Sequence, residues 1–175
     1  IESVGAERVL ILPNNKNIVM AAEQAAEVLG IEAAVVPTKT IPQGMAAILA
    51  FNAQASVKEN QKNMTDAFAH VKTGQVTFAV RDTSIDGVEI KKDDFMSLAE
   101  GKIILSQPSR VEAATKLATE LIDEDSEIVT VIYGEDVTEE EAGKFASFIE
   151  ETFEDVEVEL YNGKQPLYPY ILSVE

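Results

Sequence analysis

The sequence predicts an α/β fold with a parallel or mixed sheet and crossover helices, and three observations lead there. Short apolar runs, each stopped by a proline, alternate with segments of helical period in the first third. The same alternation returns in the last third, from Ser109 onward. Between them, Val76, Phe78 and Val80 alternate with Thr77 and Ala79, the pattern of a half-buried strand. Strand–helix–strand–helix order is the signature of a sheet whose parallel strands are joined by helices.

The elements follow in order. Arg8 to Leu12 reads as a strand ended by Pro13. Asn17 to Leu29 reads as a helix, with Ile18, Ala21, Ala22, Ala25, Ala26 and Leu29 on one face, Asn17 as its N-cap and Gly30 just past its end. Ala33 to Val36 is a second strand, ended by Pro37, and Gln43 to Phe51 a second helix. Val57 to Val71 is a third, with Val57, Met64, Ala67, Phe68 and Val71 inward. Asp86-Gly87 marks a tight turn into a strand at Val88 to Lys91, and Ile103 to Leu105 is another strand. Ser109 to Glu112 and Thr138 to Glu141 are capping boxes opening helices, the second with Ala142, Phe145 and Ile149 inward. Ile128 to Tyr133 and Val156 to Leu160 are strands. Leu167 to Val174 is a terminal strand, placed at a sheet edge by Pro169. The 175 residues read as a single domain, with possible lobes at 1–55 and 73–175 joined by a helix over 57–71.

Composition narrows the function. With 46% hydrophobic and 26% charged residues the chain can bury an ordinary core. No apolar run approaches the roughly 18–20 residues needed to span a bilayer. Ile1 to Gly5 lacks the basic start and apolar stretch of a signal peptide, and the abrupt start at Ile1 suggests a piece cut from a larger protein. The absence of cysteine removes disulfides and thiolate chemistry and fits a cytoplasmic location. The net charge is −17, and Asp123 to Glu175 carries sixteen acidic residues against two basic ones. That third repels phosphate backbones and anionic lipid, so nucleic acid is an unsuitable partner. Solubility is the simpler account of the acid, and docking to a basic partner the sharper one.

Two loops could hold a ligand or partner. Asn14, Asn15, Lys16 and Asn17 follow the first strand, and Thr38, Lys39, Thr40 and Gln43 follow the second; both groups open a helix. In parallel sheets such loops share the carboxyl rim, where helix N-termini offer free N–H groups. The two loops are therefore expected on one rim, as a polar or anion-binding surface. Asn and Thr also cap helices for purely local reasons. Gln75, Arg81 and Asp82 form a third candidate group, for which an Arg–carboxylate pair pinning the turn is the simpler account. His70 is the sole histidine and supports no metal site without cysteine. The acidic pairs at Asp93-Asp94 and Glu139 to Glu141 sit where turns and helix starts favour acids. There is no phosphate-cradling glycine loop and no nucleophile elbow.

The stretches ILPNNKNIVMAAEQAAEV (Ile11–Val28), VVPTKTIPQGMAAILAFN (Val35–Asn52), GQVTFAVRDTSIDGVEIKKDDFM (Gly74–Met96), DEDSEIVTVIYGEDVTEEEA (Asp123–Ala142) and GKQPLYPYILSVE (Gly163–Glu175) together resemble one family. It is the C-terminal domain of the fatty acid kinase A subunit, in YloV-type or DAK2-fusion proteins. The resemblance spans essentially the whole chain. It implies a fold of the DegV or dihydroxyacetone-kinase type. It also implies that ATP and magnesium are bound by an N-terminal dihydroxyacetone-kinase-like domain and zinc by a central one. No cofactor or catalytic residue is then expected in this domain. Its implied partners are the fatty-acid-binding B subunit, of the DegV family, and the kinase's own other domains. The implied role is non-catalytic, helping engage the B subunit while acyl phosphate is made for phospholipid synthesis. Two alternatives remain: a small-ligand or fatty-acyl-binding domain that uses the rim loops, and a dihydroxyacetone-kinase-like enzyme.

Overall fold

A computed structural model describes residues 5–85 and 87–175. The chain divides into two units, Ile1–Val71 and Lys72–Glu175, each with its own apolar cluster.

In the first unit, β1 (Arg8–Ile11) pairs in parallel with β2 (Glu32–Val35), Arg8 opposite Glu32 and Ile11 opposite Val35. Parallel neighbours need a crossover, and α1 (Val19–Glu27) supplies it. α1 starts later than its sequence suggests. Ile18 takes the N-cap position without a side-chain bond, and the residues before it form a local turn in which Asn17 donates its N–H to Asn15 Oδ1 and Ile18 donates its N–H to the Asn15 carbonyl. Its face is shallow: Ile18 is exposed, no residue of α1 is fully buried, and Gly30 is not left-handed.

α2 (Ile41–Leu49) is capped by Thr40, whose Oγ1 accepts from Gln43 N–H at 3.3 Å. α3 (Val57–Ala67) opens with a complete capping box, Ser56 Oγ accepting from Glu59 N–H and Glu59 Oε2 accepting from Ser56 N–H. The stretch expected to join two lobes instead packs inside the first unit, α3 lying against β1, β2 and α2. Met64, Phe68 and Val71 bury there with Val36 and Ala47. That burial is what makes α3 part of a lobe, since a free connector would have no apolar face to cover.

The second unit is built on a six-stranded mixed sheet. Its strands are β3 (Lys72–Phe78), β6 (Phe95–Ala99), β7 (Lys102–Gln107), β8 (Ile128–Tyr133), β9 (Glu157–Asn162) and β10 (Tyr170–Val174). Between β3 and β6, β4 (Thr83–Ile85) and β5 (Val88–Ile90) form a separate hairpin. Of the expected Asp86-Gly87 turn, Asp86 lies outside the described residues, while Gly87 adopts φ 83°, the left-handed conformation a glycine tolerates.

Sheet order is β7-β6-β3-β10-β8-β9. β8 and β9 are parallel; the other neighbours are antiparallel. Three expectations change here. β3 ends at Phe78, leaving Val80 exposed. β6 has no counterpart among the expected strands. The terminal strand is not at an edge: β10 is fully buried and pairs with β3 on one side and β8 on the other. Pro169 does not prevent this, because it stands just before the strand, where its missing N–H costs no ladder bond and its carbonyl accepts from Gly134 N–H.

α4 (Arg110–Leu121) and α5 (Glu139–Thr152) pack on the sheet through Ala113, Leu117, Ala142, Phe145 and Ile149. α5 is the crossover between β8 and β9. Both capping boxes are half made: Ser109 and Thr138 accept from Glu112 and Glu141 N–H, but neither glutamate side chain returns the bond.

Candidate functional site

The β1–β2 pairing places the two polar loops side by side. Asn14 donates its N–H to Thr38 Oγ1 at 3.1 Å, across 24 residues of sequence. Asn14 itself is left-handed, φ 53°, which asparagine tolerates better than most residues. Its carboxamide lies over the start of α2, where a Cβ on Gly44 would sit 2.2 Å from Asn14 Oδ1. Only glycine allows that approach.

The structure therefore gathers Asn14, Thr38, Thr40 and Gln43 at one spot, yet it spends most of their polar groups on one another. Thr38 is fully buried and holds Asn14. Gln43, also buried, accepts Lys39 N–H at 2.8 Å. Thr40 holds Gln43, and Pro42 in the first turn has no N–H to offer. Asn14 Oδ1 is buried without a partner among the described residues. Asn15, Lys16, Asn17 and Lys39 are exposed, and neither lysine makes an ion pair among the described residues.

The third candidate group does not assemble. Gln75 lies within β3, between Ile171 of β10 and Leu98 of β6. Asp82 Oδ1 instead accepts Lys92 N–H at 2.7 Å, pinning the approach to the hairpin. Arg81 is exposed and makes no ion pair among the described residues. His70 lies exposed in the turn after α3. No group of three or more His, Cys, Asp and Glu among the described residues is placed to hold a metal ion. No helix of the described residues is long and apolar enough to cross a membrane.

Two features escaped the sequence reading. The first is the outward face of α2. Ile41, Met45, Ile48 and Leu49 fall within an arc of about 100°, at 3.6 residues per turn. They are 46%, 41%, 61% and 88% exposed, whereas Pro42, Gln43, Gly44 and Ala47 turn inward. Phe51 extends the stripe. Beside it, Leu10, Leu12, Ile48, Phe51, Val57 and Met64 line an open apolar groove of about 470 Å³ with Arg8 at its wall.

The second is a polar knot in the other unit. Arg110 grips Glu141 twice, Nε to Oε1 at 2.7 Å and the terminal nitrogen to Oε2 at 2.6 Å, and donates to the Asp136 carbonyl at 3.0 Å. The buried Tyr170 donates its hydroxyl to Glu141 Oε1 at 3.0 Å. The clue was Arg110 itself, because a cation in the first turn of a helix opposes the helix dipole and calls for a nearby acid.

This knot sets a pH signature. Arg110 holds the Glu141 carboxyl below the ordinary 4.5, with the Tyr170 hydroxyl adding to the effect against desolvation. A depressed folded value means stability that is complete above the ordinary carboxylate range and lost as pH falls through it. Burial first, and the Glu141 charge second, raise Tyr170 above its ordinary 10.0. That contribution is complete below about 10 and fades as pH rises beyond it. Tyr170→Phe should flatten the alkaline limb of a urea-midpoint-versus-pH curve and shrink the acid limb only in part, since Glu141 loses the hydroxyl but keeps Arg110; an unchanged alkaline limb would contradict this account.

Residues 1–175 match the FakA-like C-terminal family, that of the fatty acid kinase A subunit and its relatives. The chain is 53% identical to Protein YloV of Bacillus subtilis (strain 168) over 175 residues, covering 100% of this chain and 32% of YloV. A DegV family protein from Corynebacterium glutamicum superposes with a TM-score of 0.64 at 19% identity, over 99% of this chain and 76% of that one. A DegV family protein from Eubacterium eligens, solved loaded with heptadecanoic acid, gives 0.62 at 15% identity, over 99% and 75%. At such identities the likeness establishes the fold alone, and that fold is the expected DegV-like α/β type.

Proposed function

The chain belongs to the FakA-like family of fatty acid kinase C-terminal domains, and on that premise we propose that it is a non-catalytic interaction domain that engages a fatty-acid-binding B subunit of the DegV type. The chain spans 32% of the length of YloV. ATP, magnesium and zinc would be bound by the other domains of such a kinase, whose product is an acyl phosphate destined for phospholipid synthesis.

The outward face of α2 carries this reading. A helix with apolar residues all round is ordinarily buried. Here the large side chains face water and the small ones face the core, which suits a surface awaiting a partner. Charge divides in the same sense. Ile1–Val71 holds five basic and seven acidic residues, whereas Lys72–Glu175 holds nine and twenty-four. The first unit is thus nearly neutral and apolar on α2, and the second repels anions. Lys39, just before that helix, and Lys16, in the neighbouring rim loop, would add polar contacts at the margin.

A second reading, an acyl-binding module, is favoured by the apolar groove with Arg8 in its wall. One experiment separates the readings. The domain is titrated by calorimetry with the purified B subunit, then separately with a fatty acid. It is also assayed for acyl phosphate in the presence of ATP, magnesium, fatty acid and B subunit. The interaction reading expects saturable binding to the B subunit, none to the fatty acid, and no acyl phosphate. Fatty-acid binding without B-subunit binding would replace it with the second reading, and turnover surviving repurification would overturn its non-catalytic part.

A further inference from the structure

The second unit contains a cavity of about 370 Å³ that the preceding reading does not use. Two of its walls are Phe78 at the end of β3 and Phe95 at the start of β6, which face each other as register partners. Leu167 closes another side. It is left-handed at φ 69°, a conformation unusual for a bulky residue, and is fastened by Thr77, whose hydroxyl donates to the Leu167 carbonyl at 2.8 Å. The side chain that this backbone carries is 58% exposed.

The charged members of the wall are Arg110, Asp93 and Asp136. Arg110 is already committed, its guanidinium gripping Glu141 and donating to the Asp136 carbonyl. The Asp93 and Asp136 carboxylates make no hydrogen bond or close ion pair among the described residues, and Asp136 is felt by Arg110 only as a weaker, longer-range attraction behind that of Glu141. The one cation of the wall is thus balanced by Glu141, and the cavity is left short of positive charge beside Asp93 and Asp136. Its body is aromatic and aliphatic. An anion would meet two carboxylates and a guanidinium already engaged with Glu141 and the Asp136 carbonyl.

We infer that this cavity binds an ammonium group carried on a short aliphatic stem. The methylenes lie against Phe78, Phe95 and Leu167, and the ammonium is drawn to Asp93 and Asp136. Aromatic faces attract a cation placed over them, and an aliphatic stem buries apolar surface while its charged head stays near water. A lysine side chain of a partner protein and a free alkylamine present the same chemistry.

The test follows the ring resonances of Phe78 and Phe95 by NMR while the whole chain is titrated with pentylammonium, with 1-pentanol as a neutral stem of the same length, and with pentanoate. Pentylammonium should shift both rings saturably, and the alcohol and the carboxylate should bind at least about tenfold more weakly, a difference of about 1.4 kcal/mol. Asp93→Asn and Asp136→Asn, both at exposed positions, should each weaken the ammonium by about threefold and leave the fold intact. Nα-acetyl-lysine N-methylamide binding as well as pentylammonium assigns the site to a protein side chain; binding by the free amine alone assigns it to a small amine. Equal shifts from all three stems, or ammonium binding unchanged in the double Asp variant, overturns the inference.

Discussion

Replacing Leu49 with lysine should weaken binding to the B subunit by at least about 30-fold while leaving the domain folded. Leu49 is 88% exposed at the last position of α2. It has almost no core contact to lose, so stability should move by no more than about 0.5 kcal/mol. A lysine in the last turn is also favoured by the helix dipole, which removes helix fraying as an explanation. At the centre of an apolar interface the same ammonium must shed water without a partner. Central interface positions commonly cost about 2 kcal/mol or more, which is about 30-fold in affinity. Leu49→Ser tests the packing without the charge and should cost less. Val28→Ser, just past the end of α1 and off the α2 stripe, should change nothing. If calorimetry finds Leu49→Lys and Ile48→Ser both within twofold of the parent, α2 is not the contact, and the acidic second unit becomes the surface to test with charge reversals at Glu139, Glu140, Glu150 and Glu151.

The sequence was easiest to read where a local pattern and a tertiary need coincide. β1 and β2 are each apolar and each stopped by a proline, and α1 must cross between them, so the shared rim followed before any coordinate. Direction was harder. α2 carries no charge and its one polar side chain, Gln43, turns inward, so polarity does not mark the solvent side, and only packing decides that Gly44 and Ala47 go in while Ile48 and Leu49 stay out. β6 hides because Ser97, at its centre, is fully buried and donates its hydroxyl to the Ala113 carbonyl; a polar residue there breaks the apolar run without breaking the strand. Pro169 misled through a rule about strand interiors applied one residue outside the strand. The Arg110–Glu141–Tyr170 knot joins residues 31 and 29 apart, beyond any local spacing rule. The rim loops were placed correctly, yet their hydrogen bonds close on themselves. Polar residues at a rim announce a need for partners, and the sequence does not say whether those partners are ligands or each other.

Replacing Phe145 with alanine should cost the second unit about 3–5 kcal/mol, against total domain stabilities of about 5–15 kcal/mol. Phe145 is 2% exposed on the inner face of α5, and its ring centre lies 5.0 Å from that of Tyr170, inclined at 59°. The ring fills the space between a helix and an interior strand of the sheet. Its loss leaves a void that the surroundings can only partly close, because Tyr170 is held in β10 by pairing on both sides. Glu141 lies one turn before Phe145 on the same face of α5 and binds the Tyr170 hydroxyl. Helix and strand are thus tied by a ring contact and by a hydrogen bond one turn apart. The two ties should be coupled: Phe145→Leu with Tyr170→Phe should depart from additivity by about 0.5–1.5 kcal/mol. Because each unit has its own apolar cluster, the loss should appear in unfolding followed by near-ultraviolet circular dichroism of the tyrosines of Lys72–Glu175, with the helical signal of the first unit retained. A loss below about 1.5 kcal/mol, well short of the usual cost of a buried ring, would mean that α5 settles onto the sheet and closes the void, and that the bond from Tyr170 to Glu141, rather than the ring contact, fixes the helix in place.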